Sequence, residues 1–87
     1  MLAAELRKPR FARLYRQEVL IADAQECICR ALQREGMTRS DLARVLKVNR
    51  SLITHFLTGK RNLTLRTLAD VLGAMGWTAR ITLRAKR

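Results

Sequence analysis

Arg50, Ser51, Thr54 and His55 carry a guanidinium, two hydroxyls and an imidazole at spacings of i, i+1, i+4 and i+5, which would put all four on one side of a helix. A guanidinium can bridge the two acceptors on the major-groove edge of guanine. Hydroxyls donate or accept there, and a threonine methyl can meet the thymine methyl. The set is therefore suited to reading bases in double-stranded DNA. Around it stand Arg39, Asn49, Lys60 and Arg61. These side chains suit phosphate oxygens, where a contact fixes register and carries affinity without reading sequence.

Other chemistries find less support. Cys27 and Cys29 are two residues apart, so on a helix their side chains point roughly 200° apart and can neither share an ion nor form a disulfide. Only His55 could add another soft ligand, and no four-ligand set with zinc-site spacing exists. Cys27 is expected in the core and Cys29 at an exposed or interfacial position, with no metal or other cofactor. As a catalytic base, His55 lacks a serine or cysteine nucleophile and an orienting acid. It is either a groove-facing donor or a surface residue contacting nothing. Neither catalysis nor a small-molecule substrate is expected of the chain.

The elements that must position the four residues lie in Thr38–Lys60. Thr38 with Asp41 three residues on has the form of a helix N-cap and its reciprocal acid. A short helix should start near Arg39 with an apolar stripe of Leu42, Ala43 and Leu46. After Lys47 and Val48, Asn49 can cap a second helix with Leu52, Ile53, Phe56 and Leu57 inward, ended by Gly59. Two such helices joined by a turn of three to four residues make a helix-turn-helix. Two short helices of any small all-helical domain would show the same apolar spacing, so spacing alone also admits a purely structural unit.

The stretch from Thr38 to Gly76 resembles the Cro/Xre helix-turn-helix family of phage repressors and bacterial regulators. Leu42, Ala43, Val48, Ser51, Ile53, Gly59, Lys60, Asn62, Leu65, Thr67, Leu68 and Ala69 carry the resemblance in order. It implies a lambda-repressor-like bundle of four to five helices, and a loop after the second helix, at Lys60, Arg61 and Asn62, lying on the sugar-phosphate backbone. This sequence departs from the family pattern at two positions. Arg39 stands where the family often has Gln, keeping a phosphate donor and adding a charge. Lys47 stands where Gly is usual, and must take a left-handed backbone at a cost of about 1 kcal/mol or alter the turn.

Eighteen Lys and Arg against seven acids give +11 on 87 residues, a balance that points to a polyanionic partner. A chain this short makes one domain and does not suit an enzyme with a deep pocket. Without an apolar run of eighteen residues or a signal-like start, a cytoplasmic, nucleoid-associated protein is expected, with no membrane partner.

Residues 1–16 form a basic arm with Arg7, Lys8, Arg10, Arg13 and Arg16 against Glu5, and Phe11, Leu14 and Tyr15 suggest one or two helical turns after Pro9. That aromatic face either docks on the protein's own core or serves as a partner-binding or minor-groove arm. The domain of residues 17–76 begins with a long helix over Glu18–Glu35, with Leu20, Ile21, Ala24, Cys27, Ile28, Ala31 and Leu32 at threes and fours and Gly36 as the stop. Its four acids should turn it away from a phosphate backbone. Thr64 can cap a last helix with the stripe Leu65, Leu68, Val71, Leu72 and Met75, stopped at Gly76.

Residues 77–87 behave differently. Trp77, Ala79, Ile81 and Leu83 alternate with Thr78, Arg80, Thr82 and Arg84, the period of a strand. A lone strand needs an outside partner. The expected one is its own copy across a two-fold axis, giving a homodimer whose reading helices would lie about 34 Å apart on a palindrome. Pairing with another protein's sheet edge, or folding back on residues 1–6, are the alternatives. An added N-terminal helix and a trailing strand on an Xre-type core resemble antitoxins of two-gene toxin modules, which implies a protein toxin as a further partner. A stand-alone repressor and a non-specific nucleic-acid binder complete the readings.

Overall fold

The computed structural model describes residues 9–85, so the arm residues before Pro9 and the last two residues lie outside the description. Four helices are present among the described residues: α1 Pro9–Glu35, α2 Arg39–Leu46, α3 Arg50–Thr58 and α4 Leu65–Ala74. The all-helical class expected from the sequence is what the fold shows.

Three of the helices end in one motif. Gly36 takes φ 63° while its N–H donates to Gln33 O and that of Met37 to Leu32 O, the paired bonds of a Schellman cap. Gly76, at φ 81°, repeats it with bonds from Gly76 N to Gly73 O and from Trp77 N to Leu72 O. The third instance ends α2, and there the left-handed residue is Lys47 at φ 60°, ψ 43°. Its bonds, Lys47 N to Arg44 O at 3.3 Å and Val48 N to Ala43 O at 3.0 Å, have the same register as in the glycine caps. The turn keeps its geometry, and the backbone absorbs the strain of a Cβ in the left-handed region.

The core draws on every helix. Ile28, Ala31 and Leu32 of α1, Leu42 and Ala43 of α2, Ile53 of α3, and Val71 and Leu72 of α4 are buried together with Met75. Met37, Leu46, Leu57, Leu63, Leu68 and Trp77 pack around them. α2 packs chiefly on α3, and α4 lies against both α1 and α2.

Four expectations are corrected here. The division between a basic arm ending at residue 16 and a helix starting at Glu18 is absent from the backbone: α1 runs without a break from Pro9 to Glu35. Nothing between those residues stops a helix, since the change at Glu18 is one of charge, which does not terminate helical hydrogen bonding. The outer half of α1 does not dock on the bundle as a whole: Phe11 is half-buried, but Leu14, Tyr15, Val19, Leu20 and Ile21 are exposed. A helix of 27 residues is about 40 Å long. The radius of gyration is accordingly 15.1 Å, where a compact chain of this length would have about 12 Å. Cys27 is exposed, as is Cys29, because Ile28, Ala31 and Leu32 turn toward the core and leave Cys27 on the flank. Leu65, placed in the stripe of α4 by its spacing, is 68% exposed, since the first turn of that helix overhangs the core.

The stretch from Trp77 to Arg84 forms no strand in the single chain, and residues 78–85 make no backbone–backbone hydrogen bond among the described residues. Only Trp77 is held. Its indole N–H donates to Glu35 Oε2 at 2.9 Å, and the Arg34 guanidinium lies 5.7 Å from the ring centroid, within reach of a cation–π contact.

Candidate nucleic-acid interface

The start of α2 is fixed by a capping box. Thr38 Oγ1 accepts from Asp41 N at 3.1 Å, and the Asp41 carboxylate accepts from Thr38 N at 2.9 Å. The Thr38 amide, followed by the Thr38 hydroxyl and a weaker contribution from Arg44, holds the Asp41 carboxyl below its ordinary value. Asp41 is the only acid between Gly36 and Ala69, a span with seven Lys and Arg residues. The surface built from α2, α3 and their loops is therefore strongly positive.

α3 presents the four side chains singled out from the sequence. Arg50 and Ser51 are exposed, while Thr54 and His55 are half-buried at the foot of the same face. At 100° per residue the centre of this group lies roughly 160° around the helix from the centre of Leu52, Ile53, Phe56 and Leu57. Of those four, Ile53 is fully buried and the others are partly so. Burial of the apolar side thus leaves the polar side outward. Arg39 Nη1 donates to Thr54 Oγ1 at 3.4 Å, so a residue expected at phosphate and one expected at bases are brought together across the two helices. Asn49 takes the N-cap position of α3, at φ −81° and ψ 154°, but its side chain makes no capping hydrogen bond. Lys60 and Arg61 are exposed just beyond Gly59, which closes α3 at φ 83°.

One positioning contact was not foreseen. Gln25 of α1 donates from Nε2 to Phe56 O at 3.2 Å, and Arg61 N donates to His55 O at 3.2 Å. Together they satisfy two carbonyls that the last turn of α3 would otherwise leave open. Gln25 sits among the apolar repeats of α1, and its half-buried position is the only signal that could have marked it. Among the described residues no group of His, Cys, Asp and Glu is arranged to hold a metal, and no helix is long and apolar enough to cross a membrane.

Two short helices joined by a left-handed turn, the second exposing a hydrogen-bonding face within a positive surround, define a helix-turn-helix DNA-binding module. A helix-turn-helix family model matches residues 30–79, more than half of the chain. The chain belongs to the Cro/C1-type helix-turn-helix family, whose members are DNA-binding regulators rather than enzymes. The matched span begins in the last two turns of α1 and ends just after Trp77, so most of α1 lies outside it. No curated protein and no solved structure matches the chain significantly.

Proposed function

We propose that the protein is a sequence-specific transcriptional repressor that binds a palindromic operator as a homodimer and acts by occupying it. The supporting observation is the α3 face: Arg50, Ser51, Thr54 and His55 stand opposite the buried side of the helix, with Arg39 bonded to Thr54. In this reading those four residues contact bases, and Arg39, Asn49, Lys60 and Arg61 contact phosphates on either side. Residues 77–84 supply dimerisation by pairing with their own copy, which gives the unpaired amides and carbonyls of that segment their partners. Selection from a randomised duplex pool, followed by titration of the selected and scrambled sites at about 0.15 M salt, tests the reading. The selected site should be palindromic and bind at least about 10³-fold tighter. Equal binding to both would leave a non-specific polyanion binder.

A second role is favoured by the outer half of α1, whose exposed Leu14, Tyr15 and Val19 lie outside the bundle. As the antitoxin of a two-gene module, the protein would use surfaces beyond the DNA-reading unit to neutralise a toxin and co-repress with it. Co-expression with the product of a small neighbouring gene tests this: growth arrest relieved by the protein supports it. Without a toxic neighbour, the stand-alone regulator remains.

A further inference from the structure

On the flank formed by α1, α4 and the chain after α4 there is a groove of about 240 Å³. It is smaller than the roughly 300 Å³ at which pockets for small molecules begin, so it suits one or two side chains of a peptide. Its floor is apolar, formed by Ala31, Leu72 and the Trp77 ring. Arg30, Arg34 and Arg80 also line it, and no acidic residue does. Thr78, Ala79 and Arg80 complete the wall with backbone that has no ladder partner among the described residues. None of these residues belongs to α2, α3 or the loops flanking α3, so this positive charge is not part of the DNA-reading surface.

We propose that this groove docks an extended acidic segment of a protein partner by strand addition. The partner's backbone pairs with Thr78–Arg80, an aliphatic side chain covers Leu72 and Trp77, and its carboxylates meet the three arginines. Charge selects an acidic occupant for the groove itself, because residues 78–85 carry Arg80 and Arg84 and no acid; pairing with a second copy uses the other edge of the same segment, since a strand has two. Arg30 is available despite its contact with Glu26 at 3.4 Å, since both side chains are well exposed and such a pair is weak. Trp77 is pinned to Glu35 and under Arg34, so the floor and one cation are already in place before a ligand arrives. The inference deepens the partner-binding role proposed above and rests on that role for the nature of the partner; it is independent of operator reading.

The test uses the full chain and a fluorescein-labelled heptapeptide, Glu-Val-Glu-Ile-Glu-Val-Glu, followed by anisotropy. A lysine-for-glutamate peptide and one with proline replacing the central isoleucine serve as controls. The acidic peptide should bind at least about tenfold tighter than either control. The doubly reversed protein, Arg34→Glu with Arg80→Glu, should lose the acidic peptide and gain the lysine peptide, a swap that misfolding could not produce. Arg61→Glu should leave acidic-peptide binding within about twofold, and saturating peptide should not displace selected DNA. No binding at about 1 mM overturns the proposal. So do equal losses in Arg61→Glu and the double variant, displacement of DNA, or tolerance of proline. Operator binding measured on the same samples reports separately on the DNA reading.

Discussion

Arg50 occupies the first turn of α3 with its side chain in solvent, the place from which a guanidinium reaches furthest into a groove. Arg50→Ala is expected to weaken the selected site by about 1 to 3 kcal/mol and random duplex far less; titrating both duplexes at one salt concentration measures the difference. Lys60, beyond the other end of the helix, should behave differently. Its removal should weaken both duplexes alike and reduce the slope of log K against log salt by about one ion.

Asp41 makes a pH-dependent contribution. Its carboxyl titrates below the ordinary range because Thr38 bonds the charged form. The charged form is therefore favoured by folding, and the stabilisation is present above the ordinary carboxylate value and lost as pH falls through the lower folded value. Asp41→Asn should be the less stable protein at neutral pH, and the gap in urea midpoint between it and the parent should close as pH falls below the ordinary carboxylate range.

At the scale of elements, the α2–α3 turn holds its shape although Lys47 stands at φ 60°. Lys47→Gly should stabilise the fold by up to about 1 kcal/mol with little effect on specific DNA binding, because glycine relieves the left-handed strain while the cap bonds are already made; urea denaturation and operator titration check the two halves. This unit was legible in the sequence because its signals are local: Thr38 and Asp41 are three residues apart, Gly59 follows its helix directly, and the apolar stripes have helical period. What escaped was not local. Gln25 and Phe56 are 31 residues apart, and Trp77 and Glu35 are 42 apart; neither pair leaves a periodic trace. Cys27 fitted the stripe of α1 by spacing, but only the placement of α4 decides which flank of that helix is covered. A boundary at residue 17 follows the change in charge, whereas a helix responds to caps and breakers, and none occurs there.

For the whole molecule, the alternation after Gly76 is plain in the sequence, yet a strand is a relation between two segments and the described residues contain only one. If residues 77–84 pair across a two-fold axis, Ile81→Pro removes a ladder donor and fixes φ, leaving a monomer with weakened operator binding. Sedimentation equilibrium distinguishes this from a dimer of undiminished affinity, which would place the interface elsewhere. The family match from 30 to 79 covers the reading unit but stops short of the outer part of α1.

α1 is seated at one end only, and that has a kinetic corollary. Its turns near Ile28 share the fate of the core, whereas those around Arg13 and Arg16 make no hydrogen bond to another helix among the described residues and leave Leu14, Tyr15 and Val19 exposed, and so short a stretch is marginal in water. Amide exchange along this single helix should rise steeply from Ile28 toward Pro9, and brief trypsin treatment should cut first after Arg13 or Arg16 while sparing the bundle. A partner seated along that rod would erase both the gradient and the cleavage.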